Sequence, residues 1–168
     1  MRTRTIWLLS MLVTGAVVVG AVLAAGPRES GVGKPVTRPE AASATVRAVA
    51  VLHAWDRRRA AAWADDDTMA LQAIYMPGSS AGRHDVTMLE AYGRRGFRVT
   101  RMQRQVMAVR VRAATSTALT LVVTDRLVEA RVTRHGVTTV LPRSRPATRR
   151  IALRRVASGW RVAEVYDD

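Results

Sequence analysis

The sequence predicts an α+β fold in which helices come first and antiparallel strands second. Three observations predict it. From Ala41 to Tyr75 apolar residues recur at helical spacing in an Ala-rich stretch, and after Gly96 they recur at every second position. The period changes once along the chain, which separates a helical half from a sheet half. Ahead of both lies an apolar run without a formal charge, Ile6–Ala25, which adds an N-terminal transmembrane helix.

That run holds 20 residues. At about 1.5 Å per residue a helix of this length reaches roughly 30 Å, the thickness of a hydrocarbon core. Arg2 and Arg4 precede it and predict a cytoplasmic N-terminus with the rest of the chain outside, although Arg28, Lys34 and Arg38 follow closely and oppose that orientation. The competing reading is a secretory signal cleaved near Val22-Leu23-Ala24 or Leu23-Ala24-Ala25, for which the run exceeds the usual apolar core of about 7–15 residues. The first reading predicts a single-pass cell-membrane protein, the second a secreted one, and both put the domain outside the cytoplasm. The chain has no cysteine, so lipoprotein attachment and disulfides are excluded. Residues 26–40 carry three Gly and three Pro with no apolar period and read as a tether, which leaves residues 41–168 for one folded domain.

Within the domain, Ala41–Ala64 lacks Gly and Pro and predicts a long helix whose stripe is Val46, Val49, Leu52, His53, Ala60 and Trp63, with Asp56 at its centre. Trp55 falls opposite the stripe, where it would face a partner subunit. Asp67 is placed to cap a second, short helix running to Tyr75. Ser79–Arg83 reads as a loop, and Asp85 as the cap of a third helix, Val86–Arg95, ended by Gly96 in a left-handed turn. Strands follow at Met107–Val111, Leu119–Val123, Val128–Val132, Val137–Leu141, Arg149–Val156 and Trp160–Tyr166. Turns fall at His135-Gly136, Pro142–Pro146 and Ser158-Gly159.

The formal net charge of +14 is uneven: residues 1–39 carry +4, residues 40–93 carry −2, and residues 94–168 carry +12. A strand half this basic attracts anionic lipid headgroups or acidic envelope polymers through long-range, salt-screened forces. Nucleic acid is a poor fit, because stacking aromatics are not interleaved with the basic strands and the expected location is extracytoplasmic.

The stretch Arg59-Ala-Ala-Ala-Trp63-Ala-Asp-Asp-Asp67-Thr-Met-Ala70-Leu71-Gln-Ala-Ile74-Tyr75 is similar to the first helix, turn and second helix of the nuclear-transport-factor-2-like superfamily, and Gly159–Val165 resembles its last strand. Where that pattern commonly has Gly before the capping Asp, this chain has Asp66, a residue type that tolerates the left-handed conformation. The resemblance covers most of residues 41–166. It implies a cone-like domain of three helices packed on a curved antiparallel sheet, and a homodimer through the outer sheet face. It is particularly like the anchored, extracytoplasmic members found in actinobacteria, many without an assigned activity. SnoaL-like polyketide cyclases and ketosteroid isomerases belong to the same superfamily. They place acids and hydrogen-bonding aromatics inside the cone at positions that differ between families, so none carries over residue by residue.

Read from the residues themselves, Asp125 interrupts the inward row Leu119, Leu121, Val123, Asp125, Leu127. Asp56 points inward from the long helix with His53 three residues before it. Together Asp125, Asp56 and His53 could supply a general base and its orienting partner. The competing reading pairs each acid with a neighbouring arginine such as Arg110, Arg112 or Arg155, since a buried charge needs a partner. Trp63, Tyr75, Tyr92 and Asp125 form the candidate ligand pocket, with Trp55 and Trp160 as further aromatics. His53, His84 and His135 have no metal-ligand spacing, and Gly78–Gly82 lacks the lysine of a phosphate loop, so neither a metal nor a cofactor is expected. The leading functional expectation is a membrane-tethered, non-catalytic binding or scaffold module of the cell envelope. The alternative is an isomerase- or cyclase-type enzyme using the inward Asp and His.

Overall fold

The structure, a computed structural model, describes residues 38–167. The expected transmembrane segment and nearly all of the tether lie outside the described residues, among which no helix is long and apolar enough to cross a membrane. Three helices pack on one antiparallel sheet, as expected.

Helix α1 spans Arg38–Asp65, beginning inside the segment read as tether. Its Pro39 sits in the first turn, where a missing N–H is harmless. The buried stripe is rotated from the expected one: Ala48, Leu52, Trp55, Ala62 and Trp63 face the core, whereas Val46 is 70% exposed and His53 is exposed. Burying both indoles on one face outweighs burying Val46 and His53. Trp55 therefore faces the core rather than a partner subunit, edge-on to Tyr75 at 5.8 Å.

Asp66 takes the left-handed conformation (φ 58°), and Asp67 then caps α2 (Thr68–Ala73) by accepting from the Ala70 amide at 2.8 Å. Helix α3 runs Ser80–Arg94, starting six residues before the expected Val86 because Ser79, not Asp85, is its cap and accepts from the Gly82 amide at 3.1 Å. The segment read as a loop is the first turn of this helix, and Asp85 lies in its interior.

The strands are β1 (Arg98–Ala114), β2 (Ala118–Arg134), β3 (Val137–Val140), β4 (Ala147–Val156) and β5 (Gly159–Asp167). The two runs expected at Leu119–Val123 and Val128–Val132 are one strand. The order is β1-β2-β4-β5, with β3 pairing the far end of β2. Leu141 N bonds Ala130 O at 2.8 Å and Ser144 N bonds Leu127 O at 3.0 Å, bridging β2 between the stretches paired to β3 and β4. Four register shifts between β1 and β2 bend the sheet around the helices. One of them, between Val106 and Ala108, reverses the expected phase: Met107 is 53% exposed, and Val106 turns inward in its place. Downstream, Leu119, Leu121, Val123, Ile151, Leu153 and Val162 form the sheet side of the core. The backbone pairs Met76 N to Val162 O (2.8 Å) and Val162 N to Ile74 O (3.0 Å) tie the end of α2 to β5.

Candidate functional site

Two buried carboxylates organise the interior. Asp85, 4% exposed on α3, receives four donors. Arg59 of α1 gives Nε to Oδ2 at 2.7 Å and Nη2 to Oδ1 at 2.5 Å, Trp63 gives Nε1 to Oδ1 at 3.2 Å, and Tyr75 gives its hydroxyl to Oδ2 at 2.8 Å. Arg59 and Trp63 reach one acceptor because they stand one helical turn apart. Burial works against the Arg59 charge, but Asp85 overrides it and holds the guanidinium more firmly protonated than usual. Burial together with Asp85 pushes the Tyr75 phenol upward despite Arg59, so it stays a donor.

Asp125, 5% exposed on β2, is clamped by two arginines. Arg104 donates Nε to Oδ2 at 3.2 Å and Nη2 to Oδ1 at 2.8 Å, while Nη2 of Arg149 sits 2.6 and 2.5 Å from the two oxygens. Burial alone would raise this carboxyl, but the hydrogen bonds and charges of Arg104 and Arg149 win and hold it below its ordinary range. Pairing with arginine was the competing expectation, although the partners differ from those named. Arg149 faces inward opposite Val123, two pairs along from Asp125, whereas Arg110 alternates onto the outer face.

Asp56 lies half-buried on α1, and its side chain has no hydrogen bond or ion pair among the described residues. Burial raises its carboxyl above the ordinary range, against the opposing charges of Arg104 and Arg59. His53 is exposed and makes no hydrogen bond to Asp56, so the two do not form an oriented acid–base pair. It borders a shallow polar depression with Arg104, Arg126 and Arg143.

The four residues expected to line one pocket are separated. Trp63 and Tyr75 serve Asp85, Tyr92 packs edge-on against Trp63 at 5.6 Å, and Asp125 belongs to the arginine clamp. Trp160 instead borders a cleft of about 630 Å³ between the first half of α1 and the ends of two hairpins, with Arg47, Ala48, Val51, Leu119 and Arg155. A depression of about 370 Å³ continues it past Trp160, sharing Ala50 and Val51.

The outer sheet face carries the charge. Arg110, Val122, Arg150 and Tyr166 stand in one cross-strand row, with Arg150 stacked over the Tyr166 ring at 4.9 Å. Val122 is 4% exposed although it alternates onto the outer face, where Arg110 and Arg150 flank it in register. Arg154 extends this face, and none of Arg110, Arg150 and Arg154 has an ion pair among the described residues.

Sequence reading missed Asp85, Arg59 and Gly82 as structural centres. Ser79 carried the missing signal: taken as the cap, it puts Gly82 in the first turn and Asp85 on the helix interior.

No family model matches the chain, and no curated protein is significantly similar to it. Solved structures are. The chain is similar to a protein from Catenulispora acidiphila in complex with S-DNPA, at 14% identity and TM-score 0.47 over 72% of this chain and 92% of that one. It is similar to an NTF2-like protein of unknown function in nutrient uptake from Rhodospirillum rubrum, at 17% identity and TM-score 0.42 over 70% and 98%. An NTF2-like protein with a cystatin-like fold from Novosphingobium aromaticivorans follows at 12% identity and TM-score 0.42 over 79% and 89%. At these identities and TM-scores the likeness assigns no function to this chain.

Proposed function

We propose that this protein is a non-catalytic binding or scaffold module of the cell envelope, tethered to the membrane through residues 6–25 and meeting anionic partners through the outer face of its sheet. The observation that carries the non-catalytic reading is the saturation of both fully buried carboxylates, Asp85 by Arg59, Trp63 and Tyr75 and Asp125 by Arg104 and Arg149. A carboxylate holding that many donors has no free lone pair with which to take a proton from a ligand. Arg110, Arg150 and Arg154 on the outer face support the anionic partner, since guanidinia without internal ion pairs fork readily onto phosphate or carboxylate. Full-length protein in phosphatidylcholine nanodiscs tests this by co-sedimentation with vesicles containing phosphatidylglycerol. Capture at low salt that disappears at high salt supports the reading; equal behaviour with purely zwitterionic vesicles contradicts it.

A second reading, proton transfer on a small apolar ligand, rests on Asp56, which is half-buried, unbonded among the described residues and held above the ordinary carboxylate range by burial. Turnover of a substrate lost in Asp56→Asn would favour it. Turnover retained in that variant would remove Asp56 from the chemistry.

A further inference from the structure

The cleft beside Trp160 combines an apolar floor with a cationic rim. Its floor is apolar, made by Ala48, Val51, Leu119 and Trp160, and the depression past Trp160 lengthens it along α1. Its rim carries Arg47 of α1 and Arg155 of β4, with no carboxylate lining it among the described residues. Neither guanidinium has a hydrogen bond or ion pair among the described residues, so both are available to a ligand. The size falls within the range of small-molecule sites, which are mostly apolar with a few convergent polar groups.

Small side chains create the space. Ala44, Ala48 and Val51 recur at three- and four-residue spacing and turn toward the two hairpin ends, where longer side chains would close the gap. Arg155 reaches the rim because β4 alternates Leu153 and Arg155 onto the helix side, its amide fixed by Thr117 O at 2.8 Å. Arg58 donates Nη2 to the Trp160 carbonyl at 2.8 Å, which holds the backbone of that indole against α1.

We propose that this cleft binds an anionic amphiphile: a molecule whose single apolar chain lies along α1 past Trp160 and whose terminal carboxylate or phosphate is forked by Arg47 and Arg155. Charge complementarity selects the head, because two unpaired guanidinia at an apolar mouth favour an oxyanion over a hydroxyl or a cation. This cleft is separate from the outer sheet face and needs no membrane tether.

The test uses full-length protein in phosphatidylcholine nanodiscs with bromine-labelled dodecanoate, read by quenching of tryptophan fluorescence. Saturable quenching is expected, with affinity falling about tenfold for dodecanol and about tenfold in Arg47→Glu/Arg155→Glu, the loss of a charge-assisted contact. Trp160→Phe should remove most of the quenching while calorimetry still detects binding. Arg110→Glu/Arg150→Glu on the outer face should leave the affinity unchanged, which separates this site from the electrostatic surface. Nanodiscs carrying bromine-labelled phosphatidylglycerol distinguish the source: quenching there identifies a bilayer lipid, and quenching by dodecanoate alone identifies a free fatty anion. Equal affinity for dodecanoate and dodecanol, or no effect of Arg47→Glu/Arg155→Glu, would overturn the proposal.

Discussion

Gly82 presses its bare Cα against Tyr75: a Cβ built there would stand 2.8 Å from both Cβ and Cγ of the tyrosine. Those atoms sit at the root of the side chain and cannot swing away. The predicted outcome of Gly82→Ala is displacement of the Tyr75 ring, lengthening of its bond to Asp85 and a loss of about 2 kcal/mol, as in other overpacked cores. Urea denaturation measures it. Tyr75→Phe, which keeps the packing and removes only the hydroxyl, should cost about 1 kcal/mol.

The clamp on Asp125 predicts acid sensitivity. Its folded-state carboxyl lies below the ordinary value of 3.8, so the clamp contributes stability that is present above the unfolded value and lost as pH falls through the folded one. Asp125→Asn leaves Arg104 and Arg149 facing each other without their counter-charge and should cost about 3 kcal/mol at neutral pH. Stability measured from pH 7 down to pH 2 should fall less steeply in the variant than in the wild type.

Asp56 predicts the opposite sign. Burial raises its folded-state carboxyl above the ordinary 3.8, so its ionised form is disfavoured in the folded state; stability is greatest below the unfolded value and declines as pH rises through the folded one. Asp56→Asn should therefore raise the midpoint of thermal unfolding at pH 7 and leave it unchanged near pH 3. A variant less stable at pH 7 would show that Asp56 makes a favourable contact in the folded protein.

Much of the architecture was legible because it rests on local signals. Asp66 and Asp67 mark the α1–α2 corner by type and position, Gly96 ends α3 with φ 72°, and the row Leu119, Leu121, Val123, Asp125 keeps its phase through the centre of β2. Non-local signals were lost. The bulge that turns Met107 outward depends on pairing with β2, and the burial of Trp55 on α1 goes with its contact to Tyr75 beyond α2. The candidate acids divided in the same way. Asp125 was found from strand alternation, while its partner Arg149 required the register of β4 against β2, and Asp85 was hidden by the choice of cap for α3.

The most direct test of anion binding by the outer sheet face compares full-length wild type with Arg110→Glu/Arg150→Glu for capture by phosphatidylglycerol vesicles across a salt series. Both substitutions lie on the exposed sheet face, away from the Asp85 and Asp125 clusters, so the fold should persist in the variant. Strong capture of the wild type at low salt is expected, with steep loss as salt is added and a marked reduction in the variant at every salt concentration. Capture that is insensitive to salt and equal in the two proteins would contradict anion binding by that face.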